Sequence, residues 1–155
     1  MDKREYKETA AMAASGDAGA FGRLYETLYE EMYYAAYYSL KSEADALDAV
    51  TGTIRDGFAA IGRLRSESAF RTFMMKNLCA RIKQYFKDYA KEPPAEPDSA
   101  GIKREFDRLT DMERLVTSLY VAGRFLPDEI AAFTGLSAGA VKKKIERCIE
   151  QFSLD

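Results

Sequence analysis

A chain of 155 residues with 47% hydrophobic side chains and a formal net charge of −2 carries enough apolar material for one folded domain or two small ones. It contains no histidine and no Gly-Lys-Ser/Thr phosphate loop, which removes His-based nucleophile pairs, His general bases and most zinc sites. No apolar run is long enough to cross a bilayer and the charged opening Met1–Lys7 is unlike a signal peptide, so the expectation is a cytoplasmic protein, not inserted in a membrane, with no enzymatic role, metal or cofactor.

The elements follow in chain order. A first helix ends near Ser15-Gly16, and Asp17 caps a second that runs to about Leu40. Phe21, Tyr25, Tyr29, Tyr33 and Tyr37 recur every four residues along it, beside Leu24, Leu28 and Met32. At that spacing the aromatics are expected in the core with hydroxyls reaching the rim, rather than as a base-stacking surface. Lys41-Ser42 breaks the pattern, and a third helix covers about Glu43 to Leu64; its stretch from Glu43 to Asp56 bears Glu43, Asp45, Asp48 and Asp56 against Arg55 alone. Paired carboxylates of this kind on a charged helix read as a solvated face, suited to a basic protein surface.

After a turn at Arg65–Ser68, with Ser66 or Ser68 as cap, a long helix continues to about Ala90. Between Arg71 and Lys87 it carries Arg71, Lys76, Arg81, Lys83 and Lys87 and no acid, a distribution that suits phosphates. Residues 91–101 hold three of the four prolines and form a flexible linker between a block at 1–90 and a block at 102–155. The second block opens with a helix from about Ile102 to Val121. No strand pattern occurs, so the fold class is all-α. Cys79 and Cys148 both fall in apolar helical patterns and are expected to be reduced core thiols.

Residues 126–147 have the layout of a helix-turn-helix. Pro127 suits the first position of a helix, Gly135 stops it, and Ser137 caps the next. Ile130, Phe133, Leu136, Val141 and Ile145 make the small core between them, with Cys148 inward as well. Lys143 and Arg147 fall opposite that face with Lys142 on its flank, while Lys144 lies nearer the buried edge, reaching a phosphate or covering apolar surface with its stem. The small Ala138 and Gly139 allow close approach to a duplex. Lys142–Lys144 either contact DNA or are the solvated face of an ordinary helical hairpin.

These residues, in this order, resemble the extracytoplasmic-function sigma factors, small promoter-recognition subunits of bacterial RNA polymerase. Gly16-Asp17, Ala20-Phe21 and Leu24-Tyr25 are similar to the family's opening pattern; Ala44–Val50, Phe58 and Leu64–Phe73 to its second region. Leu109–Val116, Glu129–Ala131, Gly135–Ser137 and Gly139–Lys142 are similar to its fourth region. The chain departs at Thr51-Gly52, where the family places Gln and an acidic residue, at Cys79–Arg81 and Gln84, where an Arg-Asn-Leu…Asp pattern is usual, and at Ala122–Leu126, one residue longer than the norm.

The resemblance implies a region-2 four-helix domain and a region-4 helix-turn-helix domain. Its partners would be core RNA polymerase and promoter DNA, with an anti-sigma factor as controlling partner. It further implies that Asp45, Asp48 and Asp56 meet the polymerase. Arg71, Lys76, Arg81, Lys83 and Lys87 would hold −10 phosphates, while Tyr85 and Phe86 would stack on unpaired bases or, the favoured alternative, pack in the core. Ser137, Lys142, Lys143, Lys144 and Arg147 would form the −35 contact. A sigma-like fold that binds DNA or proteins without initiating transcription is the competing reading.

Overall fold

Six of the helices begin at a side chain that accepts a backbone N–H, which fixes where each starts. In a computed structural model describing residues 1–93 and 108–153, the elements are α1 (Lys3–Ala14), α2 (Ala18–Leu40), α3 (Glu43–Ala60), α4 (Glu67–Lys91), α5 (Asp111–Val121), α6 (Pro127–Thr134) and α7 (Ala138–Ser153). Asp2 caps α1 through the Glu5 N–H at 2.7 Å and Asp17 caps α2 through Ala20 at 3.0 Å. Ser42 caps α3 through Asp45 at 3.2 Å, and Ser66, not Ser68, caps α4 through Ala69 at 3.0 Å. Thr110 and Ser137 do the same for α5 and α7, at 3.2 and 3.1 Å. Among the described residues there is no strand, and the fold is all-α.

Two expected boundaries move. The third helix stops at Ala60, and Ile61–Arg63 tighten into a single 3₁₀ turn. Leu64 ends that turn, and the Tyr6 hydroxyl donates to its carbonyl at 2.6 Å, tying the turn to α1. The helix expected from Ile102 to Val121 is interrupted at residues 108–110, since Thr110 is an N-cap with extended backbone and α5 begins at Asp111. Its first part, 102–107, lies outside the described residues, as does most of the 91–101 linker.

The tyrosine stripe of α2 meets its expectation in part, since Tyr25, Tyr33 and Tyr37 pack against the edge of the core. Leu24, Leu28 and Met32 take the core and are almost fully enclosed. Tyr25, Tyr33 and Tyr37 are only half-buried and Tyr29 is 38% exposed. Tyr29, Tyr33 and Tyr37 stack nearly parallel, centroids 6.4 and 6.0 Å apart and planes within 6° and 3°. A step of four residues overshoots the 3.6-residue turn by about 40°, so the aromatic row winds off the buried stripe while leucines and methionine occupy it. Phe21, at the start, does pack inside, against Phe58 and Phe70.

One hydrophobic core runs through helices from both sides of the linker, from Leu28, Met32 and Met74 to Leu115, Leu119, Ile130 and Val141. α2 packs on α5, and α4 on α6. Close approach of α3 to α2 and α4 depends on Gly57: a Cβ there would lie 2.5 Å from Met74 Sδ and 3.1 Å from Phe21 Cζ. Both neighbours are fully enclosed, 0% and 1% exposed, and have nowhere to retreat. Gly57→Ala gains about 1 kcal/mol of helix preference but overpacks the core at a cost of roughly 1–3 kcal/mol. The second effect dominates, and urea unfolding is expected to show a net loss of about 1 kcal/mol.

Candidate nucleic-acid and polymerase interfaces

The helix-turn-helix is built as its sequence dictates. Pro127 opens α6, the Glu129 carboxylate accepts the Leu126 N–H at 2.9 Å, and Gly135 ends the helix at φ 80°, donating to the Ala131 carbonyl at 3.0 Å. Only glycine takes that left-handed backbone without strain. Ile130, Phe133, Val141 and Ile145 are buried with Leu136 packed against them, and Cys148 is inward. Ser137, Lys142 and Lys143 are exposed and Lys144 is half-buried, as helical phase requires. At Gly139 an added Cβ would meet nothing within 4 Å, so the start of α7 is open.

Arg147 is placed differently. Its Nε lies 2.6 Å from Glu113 Oε2, so the guanidinium is engaged by α5. The Glu113 carboxylate is 7% exposed while the Arg147 side chain is 56% exposed, so the pair is buried on the α5 side and open to water on the α7 side.

The seven residues singled out on α4 do not converge on one surface. Lys76 and Lys87 are exposed. The Arg71 guanidinium sits 5.5 Å over the Phe125 ring, and Lys83 Nζ donates to the Thr134 carbonyl at 2.6 Å, at the last turn of α6. Both cations therefore hold the helix-turn-helix block. A cation at a helix C-terminus is also favoured by the helix dipole. Phe86 is buried at 9% exposure beneath Arg114, whose guanidinium is 6.0 Å from its ring. Core packing, the favoured alternative for Phe86, is what this arrangement has.

The acidic helix pairs with α4. Tyr85 donates its hydroxyl to Asp48 and Tyr89 donates to Asp45. Arg81 Nη2 reaches Asp56 at 2.5 Å, while Asn77 donates to Asp56 at 3.1 Å and accepts from Arg81 at 3.0 Å. Hydrogen bonds from Arg81 and then Asn77 hold the Asp56 carboxyl below its usual range. Burial, and then the bond to the aspartate, raises the hydroxyl pKa of Tyr85 and of Tyr89. Gly52 is what lets Arg81 cross: a Cβ there would collide with the Arg81 guanidinium. The departure at Thr51-Gly52 thus makes a slot for an arginine. Cys79 and Cys148 are free buried thiols, and burial pushes Cys79 up to about 12.

Sequence reasoning missed Tyr89, Asn77, Glu113 and Arg114. Thr110 and Glu113 form a capping box, a pattern legible at three-residue spacing, and Asn77 lies one turn before Arg81. For Arg114 the one local signal is Asp111 three residues earlier, and its bond to Ser39, 75 residues away, left no mark in the sequence. Its Nε donates to the Ser39 carbonyl at 3.1 Å, its Nη1 to the Leu109 carbonyl at 2.9 Å, and its Nη2 to Asp111.

This arrangement of helices has a counterpart among solved structures. The structure of CnrH in complex with the cytosolic domain of CnrY superposes with a TM-score of 0.72 and 26% identity, covering 97% of this chain and 96% of CnrH. The chain is similar to CnrH over nearly its whole length. CnrH is an extracytoplasmic-function sigma factor, and the likeness supports a sigma-factor function in general terms. No protein-family model matches this chain, and no curated protein sequence does. Among the described residues no helix is long and apolar enough to cross a membrane, and no cluster of three or more acidic, cysteine or histidine side chains could hold a metal ion.

Proposed function

We propose that the chain is a sigma factor of the extracytoplasmic-function type, which delivers core RNA polymerase to a small set of promoters in the cytoplasm. The observation that carries this reading is the likeness to CnrH over 97% of the chain. On this reading α7 lies in the major groove of the −35 element, with Lys142 and Lys143 at base edges or phosphates and Lys144 on the backbone. The N-terminal block (1–90) is the polymerase-binding and −10-recognising domain, and 102–155 the −35 domain. Lys76 and Lys87 meet −10 phosphates at once; Arg71 and Lys83 join them when the helix-turn-helix block moves off α4. Asp45, Asp48 and Asp56 meet the polymerase after exchanging their tyrosine and arginine partners. An anti-sigma factor as controlling partner is supported by CnrH having been found with CnrY.

A second reading has its own observation: all three docking aspartates are engaged within the chain. It describes a sigma-fold regulator that binds DNA or proteins without initiating transcription. Run-off transcription with core polymerase, on DNA from the gene's own upstream region, separates the two. A product that depends on the added protein is expected. Absence of product together with no polymerase co-purification would sink the sigma-factor reading, and DNA binding without product would favour the regulator.

A further inference from the structure

We infer that the first turn of α5 sets the pose of the recognition helix, with Glu113 as positioning residue and Arg147 acting through it instead of on DNA bases. The inference rests on the proposed DNA-reading role of α7. Glu113 is only 5% exposed, and both of its carboxylate oxygens are used: Oε1 accepts the Thr110 N–H at 2.9 Å and Oε2 faces Arg147 Nε at 2.6 Å. One residue therefore closes the N-terminus of α5 and grips α7. A buried carboxylate left without its cation would be costly, so the pair holds firmly although the arginine side chain is 56% exposed.

The placement gives the grip leverage. Arg147 is one turn beyond Lys143 on the same stripe of α7, and the hinge before the helix is Gly135, whose left-handed backbone does not itself fix an angle. Val141 and Ile145 are buried by apolar packing, which tolerates small rotations, whereas the ion pair is directional. Rotation of α7 about its axis would swing the long Lys142 and Lys143 side chains across the groove. The neighbouring residue, Arg114, binds the Ser39 carbonyl of α2, so a single turn of α5 holds the recognition helix on one side and the N-terminal block on the other.

Glu113→Gln provides the test, because glutamine retains a capping box while removing the charge that holds Arg147. Full-length Glu113→Gln, Arg147→Met and the double variant would be compared, each bound to core polymerase, for affinity toward a duplex from the gene's own upstream region. Amide hydrogen exchange across residues 138–150 of the free chains would be followed in parallel. Each single change is expected to weaken DNA binding by about tenfold, the worth of one charge-assisted hydrogen bond, with the double no worse than either. Both singles should also speed exchange in α7 relative to α1. If Glu113→Gln binds as well as or better than the parent while Arg147→Met loses binding, Arg147 reads DNA itself and the inference is overturned. Unchanged exchange in α7 overturns it too. Should the parent chain bind neither polymerase nor DNA, the sigma reading falls, and the grip of Glu113 on α7 is decided by exchange alone.

Discussion

Arg114→Met is expected to cost about 3 kcal/mol of stability, from loss of the cation and orphaning of the carbonyls it serves. The guanidinium is 9% exposed and joins three places at once: the Ser39 carbonyl on α2, the Leu109 carbonyl before α5, and Asp111. Methionine fills much of the same volume, so the loss is of hydrogen bonds and not of packing. For a chain of this size a deficit of about 3 kcal/mol lowers the melting temperature by roughly 6–12 °C. Arg4→Met is the matched control, since Arg4 meets Glu8 one turn away with both side chains mostly in water, and no measurable change in melting is expected there. An unchanged melting temperature for Arg114→Met would mean that the tie between the two blocks contributes nothing.

The second large effect concerns DNA. On the proposed function, Lys143→Glu replaces a cation on the open face of α7 with a carboxylate facing phosphates. A single specific contact is worth about 1–3 kcal/mol, so binding of the polymerase-bound chain to −35 DNA should fall by roughly 10- to 100-fold. Polymerase binding itself, followed by co-purification, should be unchanged, because Lys143 is exposed and no ion pair in the described residues involves it. Equal loss of both would show that α7 is a structural helix.

How much of this could be read in advance follows from the range of the interactions. Asp17, Ser66 and Ser137 cap helices through bonds to residues three positions on, so their roles are written locally. The left-handed stop at Gly135 and the inward set Ile130, Val141 and Ile145 are local too, which is why the helix-turn-helix was legible almost residue by residue. Where two stripes compete for one face, Leu24, Leu28 and Met32 take the centre of the core and Tyr25, Tyr33 and Tyr37 its edge, because the row spaced by fours drifts around α2. Charge distribution located a basic α4 and an acidic α3 but not their mutual pairing. The Arg81–Asp56 and Tyr89–Asp45 contacts span 25 and 44 residues of sequence, and only the close approach of the two helices brings them together. Arg147 illustrates the same limit, since helical phase gives the direction of a side chain from its own axis and says nothing of Glu113 waiting on another helix.

The core shared across the linker bears on how the chain is made. Helices α1–α4 leave the ribosome before α5, and synthesis adds about 5–20 residues per second. For roughly a few seconds the Ala35 and Ser39 carbonyls and the Phe86 ring therefore lack the Ser118 and Arg114 side chains that meet them in the finished protein. During that interval the nascent N-terminal half presents an uncovered seam, and transiently exposed apolar surface of that kind is prone to aggregation. Arrival of α5 closes it, so the linker length sets how long the seam stays bare.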